Sequence, residues 1–231
     1  MLTALIPARG GSKGIPRKNT VDVAGHPLIA YTIVACKRCR NIDKVVVSTE
    51  DEEIAEISKA YGAEVLQRPA ELAQDGSDDI GYLGHFFENV GGDEVALMRP
   101  TTPLRSPEFI DETIELYFHN KKEITGLRSI NATTEIPYKV YRIENNLCKG
   151  FFNDFNGITD YSNLPRQVFP QTYQANGHID IVKKETVDRN STYGNKIYGM
   201  IGDKIIDIDL LWDLEIARQQ AKQCEYVKNY F

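Results

Sequence analysis

Through residues 2–130, short apolar runs alternate with segments whose apolar positions recur every three or four residues. The first kind reads as buried strand and the second as amphipathic helix. Leu2–Pro7 opens the series as a strand, and Pro27–Arg40 follows as a helix carrying Leu28, Ile29, Ile33, Val34 and Cys36 at helical spacing. Lys44–Thr49 is β-branched and predicts a strand. Asp51–Tyr61 predicts a helix with Ile54, Ile57 and Ala60 on one face, acidic residues in its first turn and Gly62 at its end. The alternation continues through a strand at Ala63–Gln67, a helix at Asp78–Asn89 and a strand at Glu94–Met98. A helix at Pro107–His119 has Ser106 as its N-cap, and a strand follows at Ile124–Ser129.

Strands alternating with helices imply βαβ units, hence a Rossmann-like, mostly parallel sheet with helices on both faces. In such sheets ligands bind beyond the carboxyl ends of the strands. From Asn131 to Tyr173 the helical periodicity stops, and Asn, Tyr, Phe and Pro become frequent around short strand candidates such as Tyr138–Ile143. This predicts an excursion of hairpins and loops, 131–173, inserted into a single domain spanning 1–231. The α/β pattern resumes with strands at His178–Lys183 and Lys204–Asp207 and a last helix from Leu210 to about Lys222.

Composition changes the picture at one point. The 231 residues are 42% hydrophobic and 26% charged, ordinary for a globular protein, but the net charge is −6. A general nucleic-acid binder usually carries the opposite balance, so nucleic acid is not an expected partner. Any anion this chain binds must meet a local cluster of cations. The opening residues have no basic stretch before an apolar core, which predicts no secretory signal, and no run approaches the ~18 apolar residues of a membrane span. With Cys36, Cys39, Cys148 and Cys224 as sparse, free thiols, the expectation is a soluble cytoplasmic protein with no membrane partner. Cys36-x-x-Cys39 lies inside a predicted helix and reads as packing rather than as a zinc site.

The cation cluster lies directly after the first strand, in Ile6-Pro-Ala-Arg-Gly-Gly-Ser-Lys-Gly-Ile-Pro-Arg-Lys-Asn19. Arg9, Lys13, Arg17 and Lys18 fall within ten residues, and Gly10, Gly11 and Gly14 let the backbone turn tightly and expose N–H groups. Together these predict a polyphosphate cradle; the alternative is a solvated basic loop. Neither the G-x-x-x-x-G-K-[ST] loop nor the G-x-G-x-x-G fingerprint is present, because Lys13 precedes Gly14 and position 12 is Ser.

This segment resembles the opening motif of the acylneuraminate cytidylyltransferases, I-P-A-R-x-x-S-K-x-[IL]-x-x-K-N, which make CMP-sialic acid and related CMP-activated nonulosonic acids. The resemblance continues in Arg68-Pro-Ala-Glu-Leu-Ala-Gln-Asp75, Met98-Arg-Pro-Thr-Thr-Pro-Leu-Arg105, Leu164-Pro-Arg-Gln-Val-Phe-Pro-Gln-Thr-Tyr-Gln-Ala-Asn-Gly177 and Asp207-Ile-Asp209, in family order. It implies a nucleotide-diphospho-sugar transferase type of fold. It also implies that Arg9 and Lys18 hold the triphosphate of CTP, with Ala8, Gly10, Ser12, Lys13 and Asn19 shaping the loop and contacting nucleotide. Ser77 is the candidate for the base, or else the N-cap of the helix near Asp78.

On the sugar side the resemblance implies Arg166 and Gln171, with Gln167 beside them; a guanidinium suits a bidentate grip on a carboxylate. Arg99 and Thr101 join as substrate candidates, although Arg99 stands where the family often has Gln, and Gln174 replaces a common Arg. Asn176 is a further substrate candidate, and Asn176-Gly177 is expected to turn the chain back to the sheet. Lys139 is either a sugar contact or a surface lysine. Asp207 and Asp209, two apart in an extended segment, share one face and are candidate Mg²⁺ ligands; Asp209 is alternatively a helix N-cap.

The implied reaction is in-line attack on the α-phosphate of CTP by the anomeric hydroxyl of a 2-keto sugar acid, with Mg²⁺ as cofactor and pyrophosphate as leaving group. Arg9, Lys18 and Asp209 carry the chemistry in this reading. The inserted segment, with Phe151, Phe152, Phe155 and Tyr161, is expected to make a homodimer by the same resemblance, or to be ordinary core. Two rival functions are a glycosyltransferase using a nucleotide-sugar donor and a nucleotide-sensing module without turnover.

Overall fold

The computed structural model describes residues 2–231. Packing divides the chain into two compact units, Met1–Ile130 with Asn176–Phe231, and the inserted Asn131–Ala175.

In the first unit β1 (Leu2–Pro7) leads through a small hairpin, β2 (Asp22–Val23) and β3 (His26–Pro27), to α1 (Leu28–Arg38). β4 (Ile42–Thr49), α2 (Glu52–Ala60), β5 (Glu64–Gln67), α3 (Asp79–Asn89), β6 (Glu94–Leu97), α4 (Pro107–Asn120) and β7 (Gly126–Thr133) follow. β7 carries the chain into the insert, whose hairpin is β8 (Tyr141–Glu144) and β9 (Leu147–Gly150). β10 (Thr172–Lys183) returns it, and the short α5 (Lys184–Val187), β11 (Ile197–Ile201), α6 (Leu211–Gln223) and α7 (Glu225–Lys228) complete the chain.

The strands order as β11-β7-β10-β6-β1-β4-β5. β1 runs parallel to β4 and β6, β4 to β5, and β11 to β7, whereas β10 lies antiparallel to β6. The sheet is therefore mostly parallel, as the alternation predicts. Its two faces are visible in β1 alone. Leu2, Ala4 and Ile6 join one core cluster with α1 and α4 residues, while Leu5 joins the other with Tyr82, Leu83, Phe86 and Phe87 of α3. That is the period-two consequence of a strand covered on both sides.

The helix starts follow their capping chemistry. The side chains of Asp51, Asp78 and Ser106 accept from the backbone N–H groups of Ile54, Gly81 and Phe109. Asp78, not Ser77, therefore caps α3.

Two expected elements are corrected. Lys204–Asp207 forms no strand; the chain there is irregular, pinned where Ile208 N donates to Thr101 O at 2.8 Å. The edge strand is Ile197–Ile201, pairing with β7. Asn176-Gly177 is not a returning turn but part of β10, where Gly177 takes a left-handed φ of 70°. A Cβ on Gly177 would stand 3.0 Å from the Thr102 side chain, so a larger residue is disfavoured twice over.

The inserted unit has its own small core of Ile136, Tyr161 and Phe169, with Tyr138 stacked on Phe169 at 5.0 Å and Phe155 packed beside them. Tyr161 is thus core, whereas Phe151 and Phe152 are exposed.

Candidate active site

Where β1 ends, Ala8 continues its pairing by donating from its N–H to Ser48 O at 3.0 Å, and the side chain is fully buried. The chain then leaves the sheet as a loop from Arg9 to Lys18. Asn19 ties the loop's ends together, its Nδ2 donating to Arg9 O at 2.9 Å. Lys18 Nζ donates to Ile208 O at 2.7 Å and lies 2.9 Å from Asp209 Oδ1. Gly14 backs onto the same segment so closely that a Cβ would stand 2.5 Å from Asp209 O. A glycine is required there by contact rather than by conformation.

The loop borders a cleft of about 540 Å³ at the carboxyl end of the sheet, within the size range of ligand sites. Arg9, Ser12, Lys13, Lys18, Asn19, Ser77, Arg99, Thr101 and Asp209 all line it. Ala8 and Gly10 do not: Ala8 is buried beneath, and Gly10 donates its N–H to Glu50 Oε1 at 2.7 Å. The expected cluster of four cations is also reduced to three. Arg17, in the left-handed region at φ 56°, turns its guanidinium onto Asp51, at 2.6 and 3.0 Å, and onto Glu53. Those carboxylates raise the Arg17 pKa, and Arg17 does not line the cleft.

Ser77 accepts from Gln74 N at 3.0 Å and donates to Glu71 O at 3.1 Å, folding the stretch that bears Asp75 over the cleft. Asp75 bridges Arg9 Nη1 at 2.9 Å and Lys13 Nζ at 2.7 Å. Lys13 and Arg9 hold its carboxyl below the usual range.

Arg99 forms the opposite wall. One nitrogen donates to the buried Asp180 at 2.8 Å and the other to Asp79. Burial pulls its pKa down, but Tyr82, Tyr193, Asp180 and Asp79 together raise it. Its guanidinium is thus already engaged by protein carboxylates.

Sequence reasoning did not assign Arg68, Asp75, Asp79 or Tyr82, all of which line the cleft. Arg68 is buried, donating to Ser48 Oγ and O at 3.0 and 2.8 Å and lying over the Tyr82 ring. Arg68 and Asp75 both stand in motif positions, which was the available signal.

Beneath the cleft floor lies Arg105, fully buried. It donates to the carbonyls of His178 and Gly177 at 2.8 and 2.9 Å, to Thr32 Oγ1 at 2.7 Å, and to Thr102 and the Arg99 carbonyl. Burial lowers its pKa to about 10. His178 sits alongside, accepting from Ser106 N at 3.1 Å, and burial with Arg105 pushes its pKa down to about 3. It is a neutral structural imidazole. Asn176 is buried too, donating to Asp203 O at 3.2 Å and accepting from His178 N at 3.1 Å, and it does not line the cleft.

Ile208 is fully buried between exposed Asp207 and Asp209, but only Asp209 lines the cleft. Asp209 is not the helix cap; Asp213 accepts from the N–H groups of Asp209 and Leu210 at 3.1 and 2.8 Å. Cys36 and Cys39 are free and buried in and just after α1, and burial raises both thiols, that of Cys36 to about 12.

In the inserted unit Arg166, Gln167 and Gln171 line a cavity of about 460 Å³. Gln171 donates to Thr133 O and Thr172 O at 3.1 and 2.8 Å. Lys139 donates to Ser162 O at 2.8 Å over the Phe169 ring and does not line that cavity.

A family model described as Cytidylyltransferase matches residues 3–189. The chain belongs to the cytidylyltransferase family. It is 31% identical to an N-acylneuraminate cytidylyltransferase of Escherichia coli, over 99% of this chain and 54% of that protein. It is 33% identical to a CMP-N,N'-diacetyllegionaminic acid synthase of Legionella pneumophila, over 90% of both. A pseudaminic acid cytidylyltransferase of Campylobacter jejuni is 28% identical over 93% of both. The chain thus spans about half the length of some relatives and nearly all of others. Among solved structures, a CMP:2-keto-3-deoxy-manno-octonic acid synthetase complexed with CTP superposes with a TM-score of 0.73 at 16% identity, covering 96% of this chain and 99% of that one. For a cytidylyltransferase, the three loop cations that line the cleft, Arg9, Lys13 and Lys18, with Arg68 and Arg99 beside them, are the local positive charge that an acidic chain needs to meet a polyphosphate.

Proposed function

We propose that this cytidylyltransferase transfers CMP from CTP to the anomeric hydroxyl of a nonulosonic acid, releasing pyrophosphate. The observation that carries the reading is the convergence of Arg9, Lys13 and Lys18 with Asp209 on one cleft at the end of the opening strand. Arg9 and Lys13 bind the outer phosphates, and Lys18, fixed by Ile208 O, orients the chain of phosphates toward Asp209. Ser77 and Asn19 also line the cleft, and in this reading they contact the nucleotide. Transfers of this kind depend on positioning and charge neutralisation rather than on covalent chemistry. No histidine is needed as a base, and neutral His178 is committed to Ser106.

Among the described residues no group of three or more His, Cys, Asp or Glu side chains can hold a metal on its own. The donors nevertheless fit Mg²⁺, which takes one or two carboxylates and completes its shell with phosphate and water oxygens. Asp209 presents a 72% exposed carboxylate at the cleft, with exposed Asp207 two residues before it. Bound there, the ion supplies further neutralisation of phosphate charge.

We assign the sugar's carboxylate to Arg166, with Gln167 and Gln171 lining the same cavity. We also read the enzyme as a cytoplasmic homodimer. Its four cysteines are unpaired, and no helix among the described residues is long and apolar enough to cross a membrane. The inserted hairpin offers an exposed apolar face, with Tyr141 opposite Gly150 and Ile143 opposite Cys148.

The test is pyrophosphate release from CTP and Mg²⁺ in the presence of N-acetylneuraminate, legionaminate or pseudaminate. Release with one acid and not with neutral sugars is expected. Silence across the panel, with tight CTP binding, would move the chain to the sensing-module reading.

A further inference from the structure

The cations that receive phosphate in the proposed reaction already hold an anion of the protein's own. Asp75 places one carboxylate oxygen 2.9 Å from Arg9 Nη1 and the other 2.7 Å from Lys13 Nζ. That is one oxygen per cation, the pattern in which a phosphate is gripped. Asp75 lies on the stretch between the short 3-10 turn Ala70–Ala73 and α3, and Ser77 fastens that stretch through Gln74 N and Glu71 O. A second carboxylate, Glu50, accepts from the Gly10 N–H in the same loop, so acidic side chains cover both kinds of donor the loop offers.

The Asp75 side chain is half exposed, at 49%, at the edge of the cleft it lines. Exposed ion pairs are weak, and a phosphate chain with several negative charges outcompetes a single carboxylate for the same cations. Because the carboxylate is tethered, it returns to the cations whenever the phosphates leave.

We propose that Asp75 is a tethered competitor of the phosphate chain, lowering the affinity of Arg9 and Lys13 for nucleotide and for pyrophosphate and so speeding release of that product. The inference rests on the cytidylyl-transfer reading. It gives Asp75 a role in setting affinity, distinct from holding metal or reacting atoms. A fully competent seat needs the carboxylate gone. If Asp75 occupies it about nine-tenths of the time, apparent affinity falls about tenfold.

The experiment is calorimetric titration of the intact protein with pyrophosphate and, separately, with CTP, at fixed Mg²⁺ and ionic strength, comparing wild type with Asp75→Asn and Asp75→Glu. Asp75→Asn keeps the shape and removes the charge; it should bind pyrophosphate about tenfold more tightly, while Asp75→Glu stays near wild type. In turnover, Asp75→Asn should show a lower KM for CTP and stronger inhibition by pyrophosphate. Equal or weaker pyrophosphate binding by Asp75→Asn, with wild type binding normally, overturns the competitor and leaves the cytidylyl-transfer reading standing. Absence of both CTP and pyrophosphate binding in wild type overturns that reading and the competitor with it.

Discussion

Lys18 Nζ and Asp209 Oδ1 stand 2.9 Å apart although 191 residues separate them in the chain. The contact joins the loop after the first strand to the segment before α6, and the Lys18 side chain is largely buried where it does so. Asp209 therefore has two competing calls on its carboxylate, the ammonium and the proposed Mg²⁺. Asp209→Asn should raise the Mg²⁺ concentration for half-maximal turnover by about tenfold, the scale of one lost charged contact. An unchanged metal titration would remove Asp209 from the metal's shell.

Arg9 shares its partner, Asp75, with Lys13 and is the more buried of the two cations. Arg9→Ala should lower kcat/KM for CTP by ~10²-fold or more, the cost of losing one contact to transition-state charge. Near-normal kinetics would show that the phosphates lie elsewhere.

Arg99 occupies the cleft wall but spends its donors on Asp79 and Asp180. Arg99→Gln leaves the buried Asp180 with Tyr193, 2.6 Å away, and the more distant Arg128 at 3.4 Å. Removing one partner of a buried pair is costly, but Arg99 is partly exposed and Tyr193 remains, so the loss should be about 2 kcal/mol by urea denaturation. A variant of unchanged stability would mean that the wall does not depend on this pair.

What the residues disclosed in advance follows from how local the physics is. Asp51 and Ser106 cap helices through bonds to the third residue onward, a pattern written within four positions. The basic loop was legible because Arg9, Lys13 and Lys18 are neighbours in sequence. Arg17 belonged to the same cluster by spacing, yet it faces Asp51, 34 residues away, a pairing that only the fold creates. The edge strand was misplaced for a related reason. Lys204–Asp207 is the more β-branched stretch, whereas Ile197–Ile201 is interrupted by Gly199 and leaves Ile197, Tyr198 and Ile201 exposed at the sheet's margin. Position beside β7, not propensity, decides which segment pairs.

His178 gives the stability an acid limb. Its pKa falls from 6.5 to about 3 on folding, through burial first and Arg105 second. The unfolded chain therefore takes up a proton between those values that the folded chain refuses, so stability present above pH 6.5 is lost as pH falls. The stability advantage of wild type over His178→Gln should shrink by up to ~1.4 kcal/mol per pH unit over that window. A pH-independent difference in thermal unfolding would show that the imidazole is charged in the fold.

On the inserted hairpin, Arg142, Glu144 and Lys149 pair on one face, while Tyr141 and Ile143 stand exposed on the other. If that apolar face joins two copies, Ile143→Asp should give a monomer by light scattering without unfolding the domain. A stable dimer in the variant would place the interface elsewhere.

Arg105 serves the cleft floor much as a bound potassium ion would, a lone positive centre ringed by carbonyl and hydroxyl oxygens. Unlike an ion, it is covalently part of the chain and has no dissociation equilibrium. On the proposed Mg²⁺ dependence, dialysis against a chelator should stop turnover while the packing of Thr102 against Gly177 keeps its shape, ready for reloading without refolding.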